Sequence, residues 1–269
     1  MLLFWPCAWG LTLAYDFSEN IKFYLFYLLL FFLGSVLMRS AGCIINDIAD
    51  KEFDKKVSRT KNRPIASGKV SVFTGLIYSL TLCFLAFLVL INFNKFTIFL
   101  AFCSMPLAFT YPLMKRFTYW PQLFLGITFN YGLILGWTSI QQEISFLPLI
   151  LYFGAIFWTL GYDTIYGYQD IEDDEIIGVK STSIKFKNNP KKFLSVCYMI
   201  FMITILLINQ MINAVIYNYI IVLIIFLQLF FNQIFSFKIE NKNKSLRIFK
   251  SNNFLGLLVL LNLFIGKIY

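Results

Sequence analysis

The stretch NDIADKEFD places four polar side chains at helical spacing directly after a long apolar run. At 100° per residue, Asn46, Asp47, Asp50 and Asp54 fall within about 100° of one another on one helix face. Carboxylate oxygens, without imidazole or paired thiolates, are the ligands that magnesium prefers. We therefore predict a magnesium site whose ligands include Asp47, Asp50 and Asp54, with Asn46 beside them as a substrate contact.

A second acidic stripe follows in YDTIYGYQDIEDDEIIGVKST. On one continued helix, its members Asp163, Tyr166, Asp170 and Asp174 share a face. Glu172 falls on the opposite side of that helix. We predict Asp170 and Asp174 as further metal ligands and leave Glu172 out of the site.

The two stripes are separated by a constant spacing. Asp50 and Asp170 are 120 residues apart, as are Asp54 and Asp174, and each pair follows a long apolar run. Membrane folds built from repeats place their binding sites between the repeats. We therefore expect a weak tandem repeat that sets the two stripes opposite each other across a central cavity.

A cationic segment comes after each acidic stripe. Arg59, Lys61 and Arg63 follow the first, and Lys180 with Ser181 and Thr182 follows the second. Basic groups interleaved with carboxylates suit a diphosphate that binds together with magnesium. Some of these residues also serve as anchors on the positive side of a membrane.

These residues must be positioned by helices that cross a membrane. The chain is 59% hydrophobic with a mean hydropathy of +0.71, whereas soluble domains are roughly 45–50% apolar. Runs approaching the roughly 20 residues that span a bilayer lie at 1–15, 23–45, 71–92, 95–114, 121–140, 146–166, 192–210, 215–237 and 253–267. We predict an all-α, polytopic membrane protein. Its single domain, residues 1–269, is a nine-helix transmembrane bundle around a central cavity with polar cap loops.

Basic residues are concentrated on one side of this predicted bundle. The loops after every second helix hold nineteen of the 23 Lys and Arg residues. Cytoplasmic loops carry such an excess, so we expect the site loops on the cytoplasmic face of a bacterial inner membrane. This topology explains the net charge of +9, and we expect no nucleic-acid partner.

Histidine and cysteine usage narrows the chemistry further. The sequence has no histidine, which removes the usual haem ligand and the commonest general base. Its five cysteines lie in apolar segments without C-x-x-C pairing, so we interpret them as small buried hydrophobic residues rather than zinc ligands. Any metal is therefore expected to have oxygen ligands.

At this point the sequence resembles the UbiA family of intramembrane aromatic prenyltransferases. The first stripe matches the signature N-D-x-x-D-x-x-x-D and the second matches D-x-x-x-D. The strings RSAGCIINDIADKEFDKKVSRTKNRPIASG, YPLMKRFTYWPQ and YDTIYGYQDIEDDEIIGVKSTSIKF are most similar to the branch that prenylates 4-hydroxybenzoate. The likeness runs from LLFWP to the C-terminus. In this family a polar arm precedes the L-L-x-W-P sequence, and we expect such an arm to be missing here.

The resemblance implies a reaction. Magnesium and the cationic residues would hold a polyprenyl diphosphate, whose allylic carbon is attacked by the ring of 4-hydroxybenzoate ortho to its hydroxyl. The product would be 3-polyprenyl-4-hydroxybenzoate, a ubiquinone precursor. Asp163 or Tyr166 would polarise the phenol or take the ring proton, although the released diphosphate would serve equally.

An arginine is expected to hold the acceptor carboxylate, because a guanidinium remains charged and binds carboxylate through two parallel hydrogen bonds. The candidates are Arg39, seven residues before Asn46, and Arg116 in YPLMKRF. The family likeness favours Arg116. The prenyl tail needs only an apolar groove in contact with the lipid bilayer.

Other functions remain open at this stage. Family members that prenylate haem or naphthoate would share both acidic motifs, and only the flanking strings favour 4-hydroxybenzoate. A cation transporter would also bury carboxylates between repeats, but it would not need two phosphate-binding basic segments. A noncatalytic scaffold would leave the paired acids unexplained.

Overall fold

The structure, a computed structural model, describes residues 2–268, and the regular secondary structure in this range is entirely helical. The helices are α1 (Phe4–Ala14), α2 (Ile21–Ala49), α3 (Lys51–Asp54), α4 (Val72–Leu90), α5 (Lys95–Thr110), α6 (Met114–Phe117), α7 (Pro121–Gln141), α8 (Phe146–Gly167), α9 (Ile171–Ile177), α10 (Thr182–Lys185), α11 (Pro190–Met211), α12 (Ile216–Leu227) and α13 (Lys242–Ile268). A 3₁₀ turn at Tyr111–Leu113 joins α5 to α6, and a π-helix at Gln228–Phe235 continues α12. The all-α prediction is confirmed.

Eight helical segments between residues 2 and 268 are long and apolar enough to cross a membrane. They are α2, α4, the continuous segment Lys95–Phe117, α7, α8, α11, the continuous segment Ile216–Phe235, and α13. Their lengths of 19 to 29 residues match the roughly 20 residues that a bilayer requires. The chain is therefore a multi-pass membrane protein.

The remaining predicted helix, at residues 1–15, corresponds to α1. It has only 11 residues and is buried along almost its whole length. It packs against α7 and α13 in the interior of the bundle. At Gly136 the backbone of α7 touches α1 so closely that a Cβ atom would collide with the carbonyl of Cys7 and the amide of Leu11. Small residues allow such backbone contact between membrane helices. The nine-helix prediction thus corresponds to eight spans and one short buried helix.

The polar loops fold over one end of the bundle. The chain forms the short helix α3 between α2 and α4, and the short helices α9 and α10 between α8 and α11. The Ser71 hydroxyl accepts a hydrogen bond from the amide of Thr74 and so begins α4, and Ser181 caps α10 in the same way. Caps of this kind satisfy backbone amides that have no partner within their own helix.

Near the other end of the spans, buried amide side chains join three helices. Asn209 on α11, Asn218 on α12 and Asn262 on α13 are all inaccessible to solvent. The Asn262 amide donates to Oδ1 of Asn209 at 2.7 Å, and the Asn218 amide donates to the Asn262 carbonyl at 2.6 Å. Hydrogen bonds between helices are favoured in lipid because the apolar surroundings offer no other partner.

Asn262→Ala is expected to destabilise the protein by about 1–2 kcal/mol, because it leaves the Asn209 side chain without its partner in an apolar interior. This corresponds to a fall in Tm of about 2–8 °C, measured by thermal unfolding of the detergent-solubilised protein. Asn188→Ala is the matched control, since Asn188 is exposed in the loop before α11. Equal melting temperatures for the two variants would contradict this role for the amide cluster.

Candidate functional site

A polar cavity of about 310 Å³ lies at the end of the bundle that carries the cap loops. The charged side chains that line it come from distant parts of the sequence: Arg39, Asp47, Asp50, Asp54, Arg59, Arg63, Lys115, Asp163, Asp170, Asp174 and Lys180. Six are carboxylates and five are cations. The structure therefore brings both predicted acidic stripes to one site, together with Arg59, Arg63 and Lys180 of the predicted cationic segments. Lys61 does not line the cavity.

The first stripe keeps its helical register across a break in the helix. Asn46 and Asp47 lie in the last turn of α2, Asp50 is the residue between α2 and α3, and Asp54 ends α3. The amide of Asp50 donates to the carbonyl of Asn46, and the amide of Asp54 donates to the carbonyl of Asp50, both at 2.8 Å. These bonds have α-helical spacing, so the four residues share one face as predicted.

The second stripe does not lie on one continuous helix, and that part of the prediction is wrong. The helix α8 carries Asp163 and Tyr166 but ends at Gly167, and Asp170 is the N-terminal flanking residue of α9. Between the helices the amide of Asp170 donates to the carbonyl of Gly167 in a tighter turn. All four stripe residues still line the cavity, because the turn changes the direction of the chain but keeps these side chains on the cavity side.

Glu172 lies outside the cavity, as predicted. Its carboxylate, 77% exposed, pairs at 3.0 Å with Lys242 in the first turn of α13. The neighbouring Asp173 accepts a hydrogen bond from the amide of Ser58 at 3.1 Å. That contact joins α9 to the loop that follows α3.

Cations of the chain neutralise the first acidic stripe. Arg63 donates to Asp47 at 2.9 Å and to Asp54 at 3.0 Å. Lys115, on α6, forms an ion pair with Asp50 at 2.5 Å. Lys115 is not among the predicted site residues, although its position beside Arg116 in YPLMKRF was a signal, since that string carries part of the family likeness.

In the second stripe, one arginine pairs with Asp170. Nε and Nη2 of Arg59 both donate to the Asp170 carboxylate, and Nη1 donates to the Tyr166 hydroxyl at 3.3 Å. The hydrogen bonds with Asp170 raise the pKa of the Arg59 guanidinium above its usual value. Arg59 thus connects the first loop to α8 and α9.

Two of the cavity carboxylates that lie outside the membrane spans have raised pKa values. Burial raises the pKa of the Asp50 carboxyl, and the ammonium group of Lys115 offsets part of that rise. Oδ1 of Asp50 is buried and has no hydrogen-bond partner. Burial, and secondarily the nearby Asp170 carboxylate, raise the pKa of Asp174 to about 6. Both carboxylates would be stabilised by an added positive charge.

The residues fit a magnesium ion that is shared with a substrate. Across residues 2–268, no three acidic or cysteine side chains are gathered closely enough to hold a metal ion by themselves. Magnesium usually takes one or two carboxylates and completes its shell with water and phosphate oxygens. The unpartnered oxygen of Asp50 and the carboxylate of Asp174 offer hard oxygen ligands of the required kind.

The two candidate acceptor arginines occupy different places. The Arg116 guanidinium donates to the carbonyl of Ala49 at 2.7 Å and lies 5.3 Å from the Phe53 ring centroid. It is not among the residues that line the cavity. Arg39 does line it, with its guanidinium 5.1 Å from the Phe129 ring centroid. The geometry thus favours Arg39, against the preference for Arg116 that the family likeness gave.

In the predicted cationic segment after α9, some residues line the polar cavity and others do not. Lys180 lines the cavity, and its ammonium donates to the carbonyl of Phe117 at 3.3 Å. Ser181 and Thr182 are buried and serve the fold instead: Ser181 caps α10, and the Thr182 hydroxyl pairs with that of Thr164 at 2.6 Å. Their predicted part in diphosphate binding is not supported by this placement.

An apolar cavity of about 260 Å³ adjoins the polar one. It lies among α2, α4, α5 and α7, and its walls include Phe31, Phe93 and Phe102. Arg39 and Tyr111 line both cavities. The site therefore joins a charged chamber to an apolar groove with a single arginine at the junction.

The prediction that all five cysteines are buried is wrong in part. Cys7 and Cys197 are buried, whereas Cys43 and Cys103 are exposed. Cys43 lines the polar cavity and Cys103 lies on a membrane-spanning segment. All five are free thiols.

The sequence matches known proteins over nearly its whole length. A model of the UbiA prenyltransferase family matches residues 3–263. The mitochondrial 4-hydroxybenzoate polyprenyltransferase of Rattus norvegicus is 40% identical over 269 residues, which cover 100% of this chain and 71% of the rat protein. The protein of the same name from Arabidopsis thaliana is 47% identical over 195 residues, or 72% of this chain and 47% of its own length.

Solved structures share the fold. An apo UbiA homologue from Aeropyrum pernix K1 has a TM-score of 0.77 and 21% identity, and the match covers 99% of this chain and 96% of that one. A UbiA homologue from Archaeoglobus fulgidus bound to DMAPP and Mg²⁺ has a TM-score of 0.72 and 16% identity, with 98% and 94% covered.

Asp174→Asn is expected to raise the stability of the metal-free protein at about pH 7. Because the pKa rises from 3.8 to about 6 on folding, the folded protein binds this proton more tightly, and the free energy of unfolding falls as pH rises through that window. The gain at neutral pH is at most about 3 kcal/mol, and the two proteins should converge near about pH 4. Thermal unfolding of both proteins in chelator across this pH range measures the difference in stability. A difference that does not change with pH would contradict the prediction.

Proposed function

The chain belongs to the UbiA prenyltransferase family, and from that membership we propose that it transfers a polyprenyl group from polyprenyl diphosphate to 4-hydroxybenzoate in a magnesium-dependent reaction. The observation that carries the proposal is the charged cavity, with two facing acidic stripes, opening into an apolar groove. Relatives named 4-hydroxybenzoate polyprenyltransferase at 40% identity and above support this acceptor over haem or naphthoate. The product, 3-polyprenyl-4-hydroxybenzoate, would serve ubiquinone biosynthesis.

Five carboxylates are candidates to hold magnesium: Asp47, Asp50, Asp54, Asp170 and Asp174. Asp50 and Asp174 are the best placed in the ligand-free site, because Asp50 has an unpartnered buried oxygen and both have raised pKa values that added positive charge would offset. When bound, magnesium would stabilise the negative charge that develops on the diphosphate as the C–O bond breaks.

The diphosphate would be bound by cations that already line the cavity. Arg59 and Arg63 reach it from the first loop, Lys115 from α6 and Lys180 from the second loop. Asn46 lies beside them in the last turn of α2. Arginine can grip phosphate oxygens through two parallel hydrogen bonds, and lysine adds a compact charge. The prenyl tail would extend into the apolar groove among α2, α4, α5 and α7.

The acceptor would lie at the junction of the two cavities. There Arg39 would hold its carboxylate, so that the hydroxyl and the ortho carbon of the ring face the diphosphate. When the allylic C–O bond breaks, its electron pair leaves with the diphosphate, and the ring carbon forms the new C–C bond. The ring proton would then pass to the Asp163 carboxylate or to the diphosphate, with the Tyr166 hydroxyl polarising the phenol.

The membrane orientation follows from the distribution of basic residues. Nineteen of the 23 Lys and Arg residues lie in the loops and adjoining helix ends on the side of the site, and such an excess marks the cytoplasmic side. We place the site on the cytoplasmic face of a bacterial inner membrane. The relatives compared above are named as mitochondrial proteins.

Membranes that contain the protein are expected to convert 4-hydroxybenzoate and polyprenyl diphosphates into prenylated product, identified by its mass. Donors of several chain lengths should be supplied, with dihydroxynaphthoate as a competing acceptor. Activity should be lost in chelator and restored by magnesium but poorly by zinc, because the site offers carboxylate oxygens. Product formation in full chelation would contradict the metal-dependent mechanism, and exclusive use of the naphthoate would overturn the acceptor.

Asp170→Asn and Glu172→Gln form a matched pair for the same assay. Asp170 lines the cavity, whereas Glu172 is exposed and pairs with Lys242. The first variant should therefore lose turnover by two orders of magnitude or so, about 2.7 kcal/mol, and the second should remain close to wild type. The reverse result would show that the cavity assignment is wrong.

Arg39→Ala is expected to raise the KM for 4-hydroxybenzoate about tenfold, equivalent to about 1.4 kcal/mol, with little change in the affinity for prenyl diphosphate. Arg39→Lys should have a smaller effect, because lysine keeps the charge and loses the planar fork. Steady-state kinetics with each substrate varied in turn measures both values. Arg116→Ala is the control, and a tenfold rise in acceptor KM there, with normal kinetics in Arg39→Ala, would transfer the role to Arg116.

A further inference from the structure

The ligand-free cavity has ion pairs where the proposed function requires substrate contacts. Among the described residues, four of the five candidate metal ligands are paired with cations of the chain: Asp47 and Asp54 with Arg63, Asp50 with Lys115, and Asp170 with Arg59. These three cations are among the four that would bind the diphosphate. In the free protein, the candidate metal ligands and the candidate diphosphate-binding cations are therefore paired with each other.

Of these three cations, Arg59 makes the most side-chain hydrogen bonds in the cavity. Two of its nitrogens donate to Asp170, which is a bidentate arrangement, and a third donates to the Tyr166 hydroxyl. Its guanidinium carbon lies 5.5 Å from the centroid of the Tyr166 ring. The Tyr166 ring is in turn packed against Phe249 of α13, with ring centroids 4.4 Å apart.

The backbone next to Arg59 is also fixed to α9. The amide of Ser58 donates to the Asp173 carboxylate at 3.1 Å. The loop is thus held to the second acidic segment by two consecutive residues. Movement of the Arg59 side chain needs no movement of the loop, because the Ser58 contact can remain while the guanidinium changes its partner.

We propose that Arg59 couples the binding of metal and diphosphate: it occupies the Asp170 carboxylate in the free protein and transfers to the diphosphate when both ligands bind. This inference rests on the proposed function and assigns Arg59 a role in the free protein besides phosphate contact. A metal ion that takes Asp170 as a ligand in the absence of diphosphate displaces the guanidinium from that carboxylate and leaves it beside a dication, with only the Tyr166 hydroxyl as a partner. A diphosphate that arrives with the metal provides the guanidinium with a new anionic partner.

The coupling is reciprocal, because each ligand changes the affinity for the other by the same factor. Couplings between binding sites are typically about 5–150-fold. Without Arg59 the metal no longer competes with a guanidinium for Asp170, so the metal alone should bind more tightly. The diphosphate, by contrast, should bind more weakly because it has lost a cation. These opposite signs distinguish coupling from simple phosphate binding.

The test measures Mn²⁺ binding to the full-length, detergent-solubilised protein by electron paramagnetic resonance, without diphosphate and without turnover. Arg59→Gln should bind Mn²⁺ about tenfold more tightly than wild type. Lys56→Gln is the matched control, since Lys56 is exposed in the same loop and does not line the cavity. It makes the same charge change, so it should shift the affinity less than about twofold.

A second arm titrates inorganic diphosphate at saturating Mn²⁺, where Arg59→Gln should bind it several-fold more weakly than wild type. Arg59→Lys should lie between the two in both arms, because its single ammonium cannot hold both carboxylate oxygens. In an Asp170→Asn background, Arg59→Gln should no longer tighten Mn²⁺ binding.

Unchanged or weaker Mn²⁺ binding in Arg59→Gln, with the protein shown to be folded by its Tm, would overturn the proposal. An equal gain in Lys56→Gln would also overturn it, because the effect would then be a general result of net charge. The proposed function is tested separately, by product formation. If no product formed, the Mn²⁺ and diphosphate binding measurements would still test the coupling. If the coupling were absent, product formation would still test the proposed function.

Discussion

The constraint on which this structure depends is the cost of gathering carboxylates where a membrane helix ends. Six carboxylates line one cavity, and like charges that are held close together repel one another. The chain meets this cost with cations from three separate segments: Arg59 and Arg63 from the first loop, Lys115 from α6, and Lys180 from the second loop. The carboxylates and cations of the site thus nearly balance in charge. In the proposed function, the carboxylates would exchange these cations for magnesium, and the cations would bind the diphosphate.

The surrounding fold keeps these groups in place. The spans α2 and α8 end directly beneath the cavity and carry Asp47 and Asp163. The other four carboxylates follow directly, on or beside the short helices α3 and α9. The short helix α1 fills the interior, where close backbone contact with α7 at Gly136 leaves no room for a side chain. The amide cluster on α11, α12 and α13 fixes the other end. A site that must bind a charged group and a lipid tail together thus has a rigid frame on both sides.

The junction between the polar cavity and the apolar groove explains how one protein accommodates such different substrates. The prenyl tail needs removal from water and little else, and aromatic walls provide that. The diphosphate needs cations and a metal. The acceptor is small, with a carboxylate at one end and a phenol at the other. Arg39 lies at the boundary, lining both cavities, which is the position from which it can orient the ring between the two.

The sequence by itself determined the class of protein, the number of apolar segments and the identity of most charged groups, because hydropathy, helical spacing and residue type are local properties. The face shared by Asn46, Asp47, Asp50 and Asp54 followed from those rules, since α-helical hydrogen bonds continue through Asp50. The same rule failed after Gly167, where a tight turn replaces the continuous helix. Local spacing does not reveal that turn.

Only the tertiary structure decided which distant groups meet. The pairing of Lys115 with Asp50, the bidentate contact of Arg59 with Asp170, and the choice of Arg39 over Arg116 as the cavity residue all depend on how helices pack across more than sixty residues of chain. Arg116 and Lys115 are neighbours in sequence, yet the helix α6 directs one to a backbone carbonyl and the other to the buried acid. Composition identifies the charges, but packing geometry selects the partner of each.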